Sequence, residues 1–196
     1  MDLQTSVFLL FLLFTAGHSL QCFECDSQTN SCADQKETAC PAGSWCYSST
    51  AATLVGGITS KAMSKGCTSD CQSFSLNYGS MRTTYSCCNT GLCNRQDPPD
   101  PVPNGKECYT CDEKSCSKPL SCTGDEDRCI TLTDNVEGLI MLVKGCVSKN
   151  LCDAKSSVKN GQSISCCEGN LCNGAQSVTQ SFLFLCCSLL SYFLLH

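Results

Sequence analysis

Two eight-residue strings constrain this chain more than any other feature. Cys87-Cys88-Asn89-Thr90-Gly91-Leu92-Cys93-Asn94 is answered by Cys166-Cys167-Glu168-Gly169-Asn170-Leu171-Cys172-Asn173. Adjacent cysteines do not readily bond to each other, because a disulfide needs Cα atoms roughly 4.4–6.8 Å apart in a torsion that neighbours rarely supply. Each pair therefore ties two separate parts of a domain at one point. What precedes each string is the set of loops that such a knot gathers.

Of the 196 residues, 22 are cysteine. That exceeds the roughly 8–10% that marks a disulfide scaffold, and places the chain in an oxidising compartment, secreted or displayed outside the cell. The net charge of −5 is spread over both halves, so no basic surface points to nucleic acid or to an anionic membrane face.

Both ends read as targeting segments. Val7 to Phe14 is an uncharged apolar run, with the small residues Gly17 and Ser19 before a cleavage point that leaves Leu20 first. Residues 1–19 are thus read as a signal peptide, although Met1 to Ser6 carries Asp2 and neither Lys nor Arg. Phe182 to Leu195 is apolar and only His196 follows, which is shorter than the roughly 20 apolar residues of a spanning helix and lacks its basic flank. Small residues Asn173-Gly174-Ala175, a polar spacer through Ser181 and this tail instead match the signal for exchange onto a glycosylphosphatidylinositol lipid. Asn173 is the expected attachment residue and Gly174 the next candidate, so residues 174–196 are removed. The lipid would sit in the outer leaflet of the plasma membrane.

The remaining twenty cysteines divide into Cys22, Cys25, Cys32, Cys40, Cys46, Cys67, Cys71, Cys87, Cys88, Cys93 and Cys108, Cys111, Cys116, Cys122, Cys129, Cys146, Cys152, Cys166, Cys167, Cys172. Both sets open with C-x2-C and close with CC-x4-CN, and Lys65-Gly66-Cys67 is echoed by Lys144-Gly145-Cys146. This is an internal duplication. It gives a first domain over 20–95 and a second over 107–173. Between them residues 96–106 hold four of the six prolines, a semi-rigid spacer that cannot enter a central strand. Domains this small bury little apolar surface, and five crosslinks at about 2–4 kcal/mol each, not strictly additive, fill the gap. Ten cysteines allow roughly a thousand pairings, so counting does not settle connectivity.

Hairpins account for the rest. Cys46 to Ser64 is rich in Thr, Ser and β-branched residues and turns at Gly56-Gly57, while Cys129 to Val143 turns around Asp134 to Gly138. Further turns are expected at Asn77 to Gly79 and at Asn160-Gly161. No convincing amphipathic helix appears, and the fold class is all-β.

Leu20-Gln21-Cys22-Phe23-Glu24-Cys25, the ten-cysteine ladder and Cys88-x4-Cys93-Asn94 resemble the lymphocyte antigen 6/urokinase receptor family of three-finger, snake-toxin-like domains. The likeness covers both repeats. It implies Cys22–Cys46, Cys25–Cys32, Cys40–Cys67, Cys71–Cys87 and Cys88–Cys93, then Cys108–Cys129, Cys111–Cys116, Cys122–Cys146, Cys152–Cys166 and Cys167–Cys172. It also implies that Asn94 and Asn173 tie the chain end to backbone at the knot. Neither domain lacks a bridge, whereas the first domain of the urokinase receptor does; that difference and the two domains in place of three count against urokinase binding.

Catalysis finds few materials. His18 and His196 fall in the segments expected to be removed, which leaves no histidine as base or metal ligand. Asp125-Glu126-Asp127 beside Gly124 reads as a solvated loop. Zinc thiolates at Cys22/Cys25 or Cys108/Cys111 lose to disulfides in an oxidising compartment. No enzyme, metal or cofactor is expected, and the absence of an Asn-x-Ser/Thr sequon leaves the surfaces free of N-linked sugar.

Recognition should lie on the fingers, because loops held by a rigid core vary without cost to the fold. Leu54, Val55 and Ile58 flank the first central turn, and Val136, Leu139, Ile140 and Met141 crowd the second. Exposed apolar tips mark a contact surface; the unbroken second run equally suits packing against the other domain. Trp45 beside Cys46 reads as core. The expectation is a non-enzymatic, lipid-anchored protein on the extracellular face of the plasma membrane that binds an extracellular protein ligand through its fingers. A secreted inhibitor, similar to two-domain circulating inhibitors of phospholipase, is the alternative.

Overall fold

The computed structural model describes residues 19–27, 31–136, 139–154 and 163–174. The apolar amino-terminal run, the tail beyond Gly174, the turn at Asn160-Gly161 and the two central residues of the second main turn lie outside these.

Each half builds hairpins from a cystine knot. In the first, β1 (Gln21–Ser27) pairs with β2 (Lys36–Ala39), β3 (Trp45–Val55) with β4 (Ile58–Thr68), and β5 (Phe74–Asn77) with β6 (Met81–Cys88). In the second, β7 (Pro103–Thr110) pairs with β8 (Lys118–Thr123), β9 (Arg128–Val136) with β10 (Leu139–Val147), and β11 (Ser163–Cys167) joins β9. Two tandem three-finger domains result. The first central hairpin turns at Gly56-Gly57, with φ of 59° and 82°, the left-handed pair that a two-residue hairpin turn demands and that glycine adopts without penalty. The third finger turns over residues 78–80, where the Asn77 side chain accepts the Gly79 N–H at 2.9 Å.

The ten disulfides join the pairs that the family resemblance implies. They make up most of the core: Cys22, Cys40 and Cys46 cluster in one knot, Cys108, Cys122, Cys129 and Cys146 in the other. Asn94 completes the first knot, its Oδ1 accepting the Phe23 N–H at 2.8 Å and its amide donating to the carbonyls of Phe23 and Tyr47. Asn173 repeats the pattern on Tyr109 and Ile130.

Four features depart from the sequence reading. A short helix, α1 (Lys149–Ala154), follows β10. Its start is held from another element: the Asp127 carboxylate accepts the Lys149 N–H at 2.8 Å, a capping bond with no local sequence signature. Glu126 is fully buried, so Asp125-Glu126-Asp127 is not a solvated loop throughout. Trp45 is 38% exposed and lies outside the core. The prolines do not form a free spacer. Asp97 and Asp100 pair with Lys65 at 2.6 Å and Lys61 at 2.5 Å, which straps residues 97–101 across the first central finger.

The domains also meet directly. β5 pairs with β10 through Asn77↔Cys146 and Leu76↔Val147, so nine strands of both domains form one sheet, ordered β11-β9-β10-β5-β6-β3-β4-β1-β2. The tip of the first domain's third finger thus docks against the base of the second domain's central finger.

Candidate functional site

The surface to consider is built on this junction and on the finger tips above it. Leu54, Val55 and Ile58 are 48%, 71% and 74% exposed, at the end of eleven-residue strands whose bases are pinned by cystines. Residues beside two left-handed glycines at a hairpin end have no facing layer to bury them. On the second central finger Ile140 and Met141 are 69% and 50% exposed, and Leu142 joins them at 41%. Ile140 and Met141 are thus not packed away against the other domain, and the pairing of β5 with β10 begins at Cys146. Val136 and Leu139 close the β9–β10 ladder opposite each other. The two apolar tips belong to different fingers and do not merge into one patch through any strand pairing.

Leu54 does connect to something larger. With Tyr78, Gly79 and Ser80 it forms one wall of a groove of about 540 Å³ between the domains; the opposite wall runs along Thr110 to Glu113 and Lys118 to Leu120. Thr110 donates to the Tyr78 carbonyl at 2.6 Å and fixes the groove's width. Burial raises the pKa of the Tyr78 hydroxyl. At the rim, the N–H groups of Lys114 and Ser115 hold the Asp112 carboxyl below the usual range. The groove is therefore mainly apolar along its walls, with both signs of charge, Asp112 and Glu113 beside Lys118, among its lining residues.

Beneath the groove lies a polar junction that the sequence reading missed. The Glu126 carboxyl accepts from the Ser75 hydroxyl at 2.8 Å, the Thr123 N–H at 2.8 Å and the Asn77 amide at 3.4 Å, with Arg82 Nε 3.9 Å away. Ser75 and Ser148 exchange two further bonds across the domains. Gly145 is the steric key. A Cβ there would lie 2.1 Å from the Asn77 carbonyl oxygen, whereas one on its counterpart Gly66 would meet only the Tyr47 ring at 3.2 Å. The shared Lys-Gly-Cys was a visible signal, but its meaning at Gly145 comes from a strand about seventy residues away.

Two clusters of three sulfurs, Cys22/Cys40/Cys67 and Cys108/Cys122/Cys146, bring ligand atoms within 4.8 Å of one another. All six are in disulfides and offer no thiolate to a metal. No helix among the described residues is long and apolar enough to cross a membrane.

Comparison with known proteins bears on both halves. The family model for the u-PAR/Ly-6 domain matches residues 18–96, and that for snake toxin and toxin-like protein matches residues 107–173. The chain is 33% identical over 97 residues to prostate stem cell antigen of Mus musculus, covering 47% of this chain and 76% of that protein. It is 28% identical over 90 residues to lymphocyte antigen 6E of Gallus gallus, covering 45% and 71%. Among solved structures, the crystal structure of mouse TEX101 shares 18% identity over 76% of this chain and 97% of that one, with a TM-score of 0.31, too low a superposition to bear on the fold.

Proposed function

Starting from the fact that the chain belongs to the u-PAR/Ly-6 family, we propose that it is a lipid-anchored cell-surface protein that binds an extracellular protein ligand through its fingers, without catalysis. The observation that carries this reading is the tip of the first central finger. Leu54, Val55 and Ile58 stand in solvent on a hairpin too well fixed to fold them away, and an apolar patch kept exposed on a rigid support is the signature of a contact surface.

Attachment at Asn173, with Gly174 as the next candidate, is compatible with the knot. The lipid amide forms at the main-chain carbonyl, and the Asn173 side chain remains free to hold Tyr109 and Ile130. Phosphatidylinositol-specific phospholipase C tests the anchor: release from intact expressing cells is expected. Full-length protein accumulating in the medium, with none released by the enzyme, would replace this reading with that of a secreted inhibitor. Proximity labelling on the same cells tests the binding half. A set of labelled proteins that disappears when Leu54, Val55 and Ile58 are exchanged for serine is the expected result, and an unchanged set removes this tip from the site.

A further inference from the structure

Two cations flank one small residue in the first central finger. The registers Ala52↔Lys61 and Ala52↔Arg82 put Lys61, Ala52 and Arg82 in one row across β4, β3 and β6. Residues opposite one another in such a row share a face of the sheet, so the positive side chains rise about 10 Å apart, two strand spacings, on either side of a methyl group. In the next row on that face Thr50 lies opposite Thr84. The second domain does not repeat this row: counted from the matching cysteines, Cys46 with Cys129 and Cys67 with Cys146, Ala52 and Lys61 become Asn135 and Ile140.

The strap lies over these cations. Thr50, Ala52, Lys61 and Arg82, with the strap's prolines, enclose a hollow of about 170 Å³, which leaves room for one side chain. Among the described residues three buried side-chain polar atoms lack a hydrogen-bond partner, and two of them, Thr50 Oγ1 and Arg82 Nε, belong to the lining of this hollow. Buried polar groups in native folds are nearly all paired, and an unpaired one calls for a ligand or a function. Arg82 Nε is 3.9 Å from Glu126, beyond hydrogen-bond range.

The chain supplies one anion itself. Asp100 Oδ1 accepts from Lys61 at 2.5 Å, and 81% of the Asp100 side chain is in solvent. The hydrogen bond and charge of Lys61, and in smaller part the charge of Arg82, hold this carboxyl below the usual carboxylate range. A carboxylate therefore already stands in the field of both cations. It is tied by an exposed pair, which contributes little and is readily exchanged.

We propose that Lys61, Arg82 and Thr50 form an oxyanion site that takes an aspartate or glutamate side chain of the protein ligand, and that Asp100 is the built-in occupant which the ligand displaces. The inference rests on the reading of this chain as a receptor for a protein ligand and adds the charge that the ligand must carry. Exchanging one carboxylate for another keeps the ion pair with Lys61, and the incoming group offers partners to Thr50 Oγ1 and Arg82 Nε, which Asp100 does not bond. The site is continuous with the apolar tip. A second hollow of about 170 Å³ shares Ala52 and Arg82 with the first and reaches Leu54, so a ligand seated on Leu54, Val55 and Ile58 carries its acidic residue beside its apolar ones. The paired charge then sets orientation and rejects ligands without it.

The test uses full-length protein purified from isotope-labelled expressing cells, with two probes at constant ionic strength: N-acetyl-aspartyl-methylamide, a side-chain carboxylate without charged termini, and inorganic sulfate. Expected is saturable binding of the aspartyl probe, read as amide shifts at Thr50, Ala52 and Thr84, with the asparaginyl counterpart inert. Asp100→Asn removes the competing carboxylate and should raise the affinity about threefold to fivefold, as an exposed ion pair would weigh. Lys61→Gln should lower it at least about tenfold, and Thr50→Val, close in shape, about threefold, both with circular dichroism unchanged. No saturation, an equal response to the two blocked amino acids, or an affinity that Asp100→Asn leaves as it was overturns the proposal. Sulfate bound where the aspartyl probe is not identifies a site for a free inorganic ion, and overturns it too. On cells, proximity labelling that survives Lys61→Gln but is lost with the Leu54 tip sinks the carboxylate site and leaves the receptor reading standing; no labelled neighbour of the unaltered protein sinks the receptor reading.

Discussion

Two side chains show how much of this molecule hangs on single groups. Asn173 and Asn94 each satisfy one N–H and two carbonyls at the knot. Replacing Asn94 by alanine strands those three backbone groups in a buried site, at about 1–3 kcal/mol for each group left unpaired; a lower urea midpoint at unchanged slope is the expected reading. Gly145 makes the sharper prediction. Gly145→Ala places a methyl group inside the contact distance of the Asn77 carbonyl, and overpacking against backbone costs about 1–3 kcal/mol. Amide exchange should quicken at Leu76 and Val147, the paired residues beside it. Gly66→Ala, which meets only a tyrosine ring, should leave that protection intact.

At the scale of elements, the strap over residues 97–101 converts a linker into part of the first domain. Lys65 is buried and spends its ammonium on Asp97, Gln35 and the Arg95 carbonyl. Lys65→Ala removes the cation from three acceptors, of which Asp97 is 38% exposed and can be resolvated, so the loss is expected at about 1–3 kcal/mol. The outer pair behaves differently. The hydrogen bond from Lys61, and then its charge, hold the Asp100 carboxyl below the usual carboxylate range. A group whose folded pKa is depressed stabilises above its unfolded pKa and loses that contribution as pH falls through the folded one. Asp100 is exposed, so the contribution stays under about 1 kcal/mol and is screened by salt. Proteolysis of the strap should quicken below about pH 4, and Asp100→Asn should show the acid rate at neutral pH.

Over the whole molecule, the two domains act as one body because a single sheet and one buried carboxyl group cross between them. Glu126 gathers Ser75 and Asn77 from the first domain and Thr123 from its own. Glu126→Ala leaves those donors and Arg82 uncompensated, costing about 3 kcal/mol, and small-angle scattering should show a longer particle as the junction loosens. Glu126→Gln keeps acceptor oxygen in place and should retain the compact form. The tip exchange at Leu54, Val55 and Ile58 belongs at this scale too: it should leave the unfolding midpoint within about 0.5 kcal/mol while it removes the ligand.

The cysteine ladder determined a great deal by itself. Two domains, their all-β class, and the turn at Gly56-Gly57 follow from local chemistry: crosslinks must be satisfied within reach along the chain, and positive φ must fall on glycine. The exposure of Leu54, Val55 and Ile58 was legible for the same reason, since a hairpin tip has no neighbour of its own. What the sequence could not yield depends on which distant surface arrives. Asp125-Glu126-Asp127 looks solvated until β5 and Arg82 close over its middle residue. Lys144-Gly145-Cys146 looks like an echo of Lys65-Gly66-Cys67 until Asn77 lies against it. The apolar run after Gly138 gives no sign of whether a strand covers it. Only the tertiary structure decided that the base of β10 is paired with β5 while Ile140 to Leu142 stay exposed, because burial and edge pairing are properties of two segments brought together and are written in neither alone.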